Sequence, residues 1–156
     1  MTDNSRNNDT SGIVLFEEIP FSLNRDHFKK AIRLESYEEL EEEVDRFLDE
    51  ALDRARPKAL YREDFVEESD GDKVRVAGAE FSSEILADKL GEVPRVFPYL
   101  ATCGRELAEM EMSDYDPMLG DLWLSTVKMQ ALGAASKYLK NTIKETYEIQ
   151  ILSSIN

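Results

Sequence analysis

The chain holds one cysteine, one histidine and one tryptophan among its 156 residues. A lone cysteine, Cys103, excludes an internal disulfide framework and fits a reducing compartment. Zinc sites built from Cys and His need several such ligands, and the chain has two in total. A nucleophilic triad would have to recruit His27, which sits in a charged helical segment with no supporting motif; it reads as a surface histidine. Glycine is sparse, and its seven positions form no Walker loop, no Gly-x-Gly-x-x-Gly and no Gly-x-Ser-x-Gly. Basic residues are also few, 19 against 33 acidic ones, which leaves a formal charge of -14. A potential of that sign repels phosphate backbones and anionic bilayers, so neither nucleic acid nor a membrane is an expected partner. No apolar run approaches the roughly 20 residues needed to span a bilayer, and Met1 to Ser11 is polar, unlike a signal peptide. The expected location is cytoplasmic.

What is present is an ordinary globular composition, 42% hydrophobic and 33% charged, which at this length supports one domain with a real core. Residues 1–11 carry no apolar anchor and are expected to be a disordered leader, with a single α+β domain over 12–156. Ile13 to Ile19 reads as a strand stopped by Pro20, and Asn24 caps a short helix with Phe28, Ala31 and Ile32 on one face. Tyr37, Leu40, Val44, Phe47, Leu48, Ala51, Leu52 and Ala55 form the apolar stripe of an amphipathic helix, opened by a Ser36–Glu39 capping box and ended by Pro57. The acid run Glu38 to Glu43 beside that stripe lacks the ligand spacing of a calcium loop and reads as a solvated face.

Lys58 to Glu67 and Lys73 to Phe81 read as two strands joined by the turn Ser69 to Asp72. Ser82 is expected to cap a short helix holding Ile85, Leu86 and Leu90 and stopped by Gly91. Val96 to Thr102 follows as a strand whose Pro98 implies an edge or a bulge. Arg105 to Met112 looks helical, and Asp116 with Pro117 opens a long helix to about Lys144. The small residues Ala131, Gly133, Ala134, Ala135 and Ser136 mark it as the central helix, closely approached by its neighbours. Tyr147, Ile149 and Ile151 alternate as in a strand.

One spot invites a ligand. Thr102, Cys103, Gly104 and Arg105 join an apolar strand to a helix, where backbone amides receive anionic groups and glycine admits a close approach. Cys103 there would feel the helix dipole; the plainer reading is a buried small residue followed by a turn glycine.

Three segments occur in one order: Ile19-Pro20-Phe21-Ser22-Leu23-Asn24-Arg25, Ala101-Thr102-Cys103-Gly104-Arg105-Glu106, and the long helix from Gly120-Asp121 through Ala131, Gly133 and Ala134. Together they resemble the stand-alone relatives of the activation domain of cobalamin-dependent methionine synthase. The resemblance implies an α+β fold with a twisted antiparallel sheet, amphipathic helices and one long central helix. In that family the domain binds S-adenosylmethionine and presents it to an inactive cob(II)alamin. The family's cofactor signature, Arg-x-x-x-Gly-Tyr, is missing here, since none of the seven glycines precedes a tyrosine. The Asp-x-His-x-x-Gly motif of corrinoid carriers is missing as well; Asp26 and His27 are adjacent.

The expected function is therefore an accessory of a corrinoid methyltransferase, not catalytic alone, with cobalamin on a partner and S-adenosylmethionine implied by resemblance only. Two alternatives stand beside it. One is a small-ligand or S-adenosylmethionine-binding domain using Thr102 to Arg105. The other is an interaction module whose edge near Ile149 pairs with another chain or a second copy, making a homo-oligomer.

Overall fold

A computed structural model describes residues 7–8, 12–34, 38–91 and 93–155. The expected leader 1–11 lies outside them except for Asn7–Asn8, and so do Ser36 of the expected capping box and Tyr37 of the expected apolar stripe. The architecture is α+β, with antiparallel strand pairs and a long C-terminal helix. The elements run β1 (Asn7–Asn8), β2 (Ile13–Phe16), α1 (Arg25–Ala31), a 3-10 turn (Glu38–Leu40), α2 (Glu41–Arg54), β3 (Lys58–Arg62), β4 (Asp64–Asp70) and β5 (Lys73–Val76). They continue with β6 (Ala79–Ser82), α3 (Glu84–Leu90), β7 (Arg95–Val96), β8 (Tyr99–Thr102), α4 (Arg105–Ala108) and α5 (Gly120–Thr146). Strand order is β1-β2-β3-β8 in one sheet and β6-β5-β4-β7 in the other.

The chain divides into two compact units, one holding Phe16–Ala59 and Ala101–Asn156, the other Arg6–Leu15 and Leu60–Leu100. The helical unit is built around α2 and α5. Asn24 accepts the His27 amide at 2.8 Å and so starts α1 as its sequence requires. Val44, Phe47, Leu48 and Ala51 bury one stripe of α2, and Phe47 is the hub of its aromatic core. Its ring lies 6.3 Å from Phe28, 5.5 Å from Tyr115 and 5.8 Å from Trp123. Such aromatic pairs stabilise by about 0.5–1.5 kcal/mol each beyond the area they bury. From α5, Trp123, Leu124, Val127, Ala131, Ala135, Leu139 and Ile143 are buried. The close approach expected of its small residues is real at Ala131 and Ala135, both fully buried. At Gly133 it is not: nothing lies within 4 Å of where a Cβ would stand.

The second unit is mostly hairpins. The expected hairpin forms, but its turn is one residue later than expected: Ser69 and Asp70 belong to β4, and Asp70 pairs with Lys73 across Gly71–Asp72. The expected single strand from Lys73 to Phe81 is instead two strands around a tight turn at Ala77–Gly78, with φ of 56° and 74°. Glu67 accepts the Gly78 amide at 2.8 Å and holds that turn. The expected strand Lys58 to Glu67 also divides, at Glu63, where Asp64 accepts the Phe65 amide and pairs with Arg62. Val96 to Thr102 breaks likewise at Phe97–Pro98. Proline has no amide to give a ladder, but the Pro98 carbonyl still accepts the Arg62 amide at 3.1 Å.

Several boundary expectations are corrected. The first strand ends at Phe16 rather than Ile19, and α5 begins at Gly120, after a turn at 117–119, rather than at Pro117. The cap of α3 is Ser83, which accepts the Leu86 amide, because Ser82 is committed to β6 opposite Lys73. Helix α4 stops at Ala108 rather than Met112; there Lys128 Nζ donates to the Ala108 carbonyl at 2.9 Å. The strand expected over Tyr147 to Ile151 is absent. Instead Glu148 turns left-handed at φ 53° and the Ile149 amide donates back to Lys144 at 2.9 Å, a Schellman-type ending of α5.

Candidate functional site

Within the helical unit, the chain runs from Thr102, the last residue of β8, through Cys103 and Gly104 to Arg105, the first of α4. Gly104 sits at φ +98°, a conformation glycine tolerates far better than other residues. The neighbour it admits is the protein's own chain: an added Cβ would lie 2.7 Å from the Arg56 carbonyl oxygen and 2.9 Å from its nitrogen. The Arg56 amide in turn donates to the Cys103 carbonyl at 3.3 Å. Thr102 Oγ1 accepts the Gly104 amide at 3.1 Å. Cys103 is a free thiol, half-buried against the core. Arg105 points to solvent and pairs with Glu109 on the next turn at 2.8 Å. The four residues are thus contiguous, but their close approach is spent on Arg56.

His27 is exposed on α1. Among the described residues no group of three or more His, Cys, Asp or Glu is placed to hold a metal ion. No described helix is long and apolar enough to cross a membrane.

A depression of about 310 Å³ opens elsewhere in the same unit, lined by Glu50 and Arg54 of α2 and by Glu109, Glu111, Asp114 and Tyr115 after α4, among others. Two of its lining residues share a hydrogen bond that sequence reading missed: Tyr115 Oη donates to Glu50 Oε2 at 2.5 Å. Burial, and then the Glu50 carboxylate, push the Tyr115 hydroxyl up to about 12. The Tyr115 bond, and then Arg54 at 2.8 Å, hold the Glu50 carboxyl below its usual range against the opposing effect of burial. A general acid or base works best with a pKa near the operating pH. This pair is moved away from neutrality on both sides, so the tyrosine stays protonated and the glutamate ionised. The bond ties the segment around Tyr115 to α2.

The same segment is held along α2 by two further contacts. Glu43 accepts the Asp116 amide at 2.6 Å, and Arg46 donates to the Asp114 carbonyl at 3.2 Å while its guanidinium lies 5.3 Å from the Tyr115 ring centroid. Asp116 Oδ1 then accepts the amides of Met118 and Leu119, which leads the chain into α5. Glu43, Arg46 and Glu50 recur at steps of three and four, one face of a helix. On another side Lys29 reaches Glu41 and Asp45, each at 3.0 Å, and Arg25 reaches Asp49 at 2.5 Å. The acid-rich helix read as a solvated face is therefore also its unit's binding rail, seating α1 and the approach to α5. No signal in the sequence joined Tyr115 to Glu50, 65 residues away.

Comparison with protein-family models, with curated proteins and with solved structures finds no match to this chain.

Proposed function

We propose that this chain is an accessory docking domain of a corrinoid-dependent methyltransferase system, related to the methionine synthase activation domain, that performs no chemistry by itself. The docking reading is supported by the acid-rich depression lined by Glu50, Glu109, Glu111 and Asp114, where the Tyr115–Glu50 hydrogen bond ties α2 to the segment before α5. The corrinoid part rests on the resemblance. It is supported by an α+β frame in which a strand-to-helix joint at Ala101 to Glu106 precedes a 27-residue helix. Cobalamin in this reading belongs to the partner, and S-adenosylmethionine is not held at Thr102 to Arg105. A net charge of -14 calls for a docking face on the partner that is basic or neutral, and disfavours acidic flavodoxin-type donors as direct partners. A single free cysteine suits the cytoplasm, where corrinoid methyl transfer requires reduced cofactor.

Isothermal titration against a cob(II)alamin-loaded carrier protein tests the reading, with the absorption spectrum of the corrinoid followed in parallel. Saturable heat with an altered spectrum is expected. Titrations without heat across carriers from methionine synthase-like systems would reject it.

A further inference from the structure

Helix α5 carries two apolar stripes, and only one is used by its own unit. Trp123, Val127, Ala131 and Ala135 are buried. On another face Met118, Leu122, Ser125, Met129, Leu132 and Ser136 recur at steps of four, three, four, three and four, beginning in the turn that leads into the helix. That is the 3.5-residue repeat of a coiled-coil seam. Its large members stand in solvent: Met118 is 86% exposed, Leu122 50%, Met129 73% and Leu132 42%. No seam position is ionisable, although the chain as a whole is strongly acidic.

The charges that flank the seam decide what covers it. Asp121 and Lys128 each stand one residue before a seam position, Leu122 and Met129, so they lie along the same side of it. In a parallel pair of helices opposite flanks meet, and each of these charges would face a partner residue from the other side, where Thr126 and Gly133 stand uncharged. In an antiparallel pair like flanks meet. If Met118 faces Met129 and Leu122 faces Ser125, Asp121 of one copy comes opposite Lys128 of the other, and the two-fold axis repeats the contact. Lys128 keeps its ammonium charge for this role while one of its three donors holds the Ala108 carbonyl. The small Ser125 beside the axis lets the two backbones come close.

We propose that the first part of this seam, Met118 to Met129, is a self-complementary interface, covered by the same segment of a second copy of this chain running antiparallel, with reciprocal Asp121–Lys128 pairs. This goes beyond the docking role and does not depend on the identity of a corrinoid partner. It places the interface on α5 and not at the Ile149 edge that the sequence offered.

Sedimentation equilibrium of the whole chain across a wide concentration series is the test. A reversible monomer–dimer equilibrium is expected. Met129→Glu buries a carboxylate against the apolar Met118 of the other copy on each side of the axis and should weaken it at least about a hundredfold. That site is largely exposed in the single chain, so an unchanged circular dichroism spectrum will show that folding is intact. Asp121→Lys and Lys128→Glu alone should each weaken dimerisation about tenfold by opposing like charges, and the double variant should recover it to within about threefold. Ile151→Ser, at an exposed apolar residue off the helix, should change nothing. A chain that stays monomeric at every concentration overturns the proposal. So does a dimer indifferent to Met129→Glu, or one whose double charge swap fails to recover.

Discussion

Replacing Tyr115 by phenylalanine removes one hydroxyl from the centre of the α2 rail and leaves the ring on Phe47 and Arg46. A hydrogen bond to a charged acceptor is typically worth about 1.5–3 kcal/mol. Here the Glu50 side chain is 37% exposed and keeps Arg54, so solvent offsets part of the loss and about 1 kcal/mol at neutral pH is expected. The desolvation that contributes most to the tyrosine's shift does not count against the variant, because phenylalanine has no hydroxyl to bury. The pH dependence is sharper. Tyr115 holds its proton to about 12 when folded, against 10.0 in the unfolded chain. Its contribution is complete below 10 and is lost as pH rises through that window, by up to about 1.4 kcal/mol per pH unit. Tyr115→Phe lacks this loss. The advantage of the natural chain should shrink above pH 10 and change sign before 12, while lysine deprotonation cancels between the two proteins. At acid pH the carboxylate gives the opposite sign: Glu50's contribution is present above 4.5 and lost as pH falls through its lowered folded value. The variant should therefore be less acid-sensitive. Urea unfolding followed by circular dichroism at neutral, acidic and alkaline pH measures all three. Parallel stability curves for the two proteins across the alkaline range would refute the reasoning.

Gly104→Ala drives a methyl group into the Arg56 backbone from a left-handed conformation, and should cost more than about 2 kcal/mol in urea unfolding. A near-neutral result would mean that the β8–α4 joint is loosely seated. Ala77→Asn relieves a left-handed alanine in the β5–β6 turn and should raise stability by about 0.5–1 kcal/mol, read as a higher melting temperature. Asp116→Ala removes the acceptor of the Met118 and Leu119 amides and should cost about 1 kcal/mol, visible as loss of helical signal on mild heating. S-adenosylmethionine, added in excess, should leave the melting temperature unchanged; a saturable rise would show that this domain binds it.

Local chemistry made much of the fold legible. Asn24 before Phe28, the stripe of α2 ended by Pro57, and Asp70-Gly71 between extended runs each declare their element within a few residues. Where the signal was ambiguous, tertiary context decided. Ala77 has no turn signature of its own and is held left-handed beside Gly78, whose amide Glu67 holds from β4. Adjacent serines at 82 and 83 offer equal caps until β6 claims the first. Alternation at Tyr147 to Ile151 looks extended, yet a backbone bond to Lys144 folds it onto the helix end. The strand-to-helix joint at Thr102 to Arg105 was visible, but what fills the space at Gly104 was not, since Arg56 comes from another part of the chain. The Glu50–Tyr115 pair was invisible for the same reason. Contacts 65 to 73 residues apart leave no periodicity to read.

The central claim is that this domain docks on a corrinoid protein rather than acting alone. Sedimentation velocity with detection at the corrinoid's visible absorbance tests it most directly, because only the partner carries the chromophore. Adding this chain to a cob(II)alamin-loaded carrier should shift the absorbing boundary to a larger sedimentation coefficient, saturating at a fixed ratio. A boundary that stays at the carrier's own coefficient at every ratio would contradict the account.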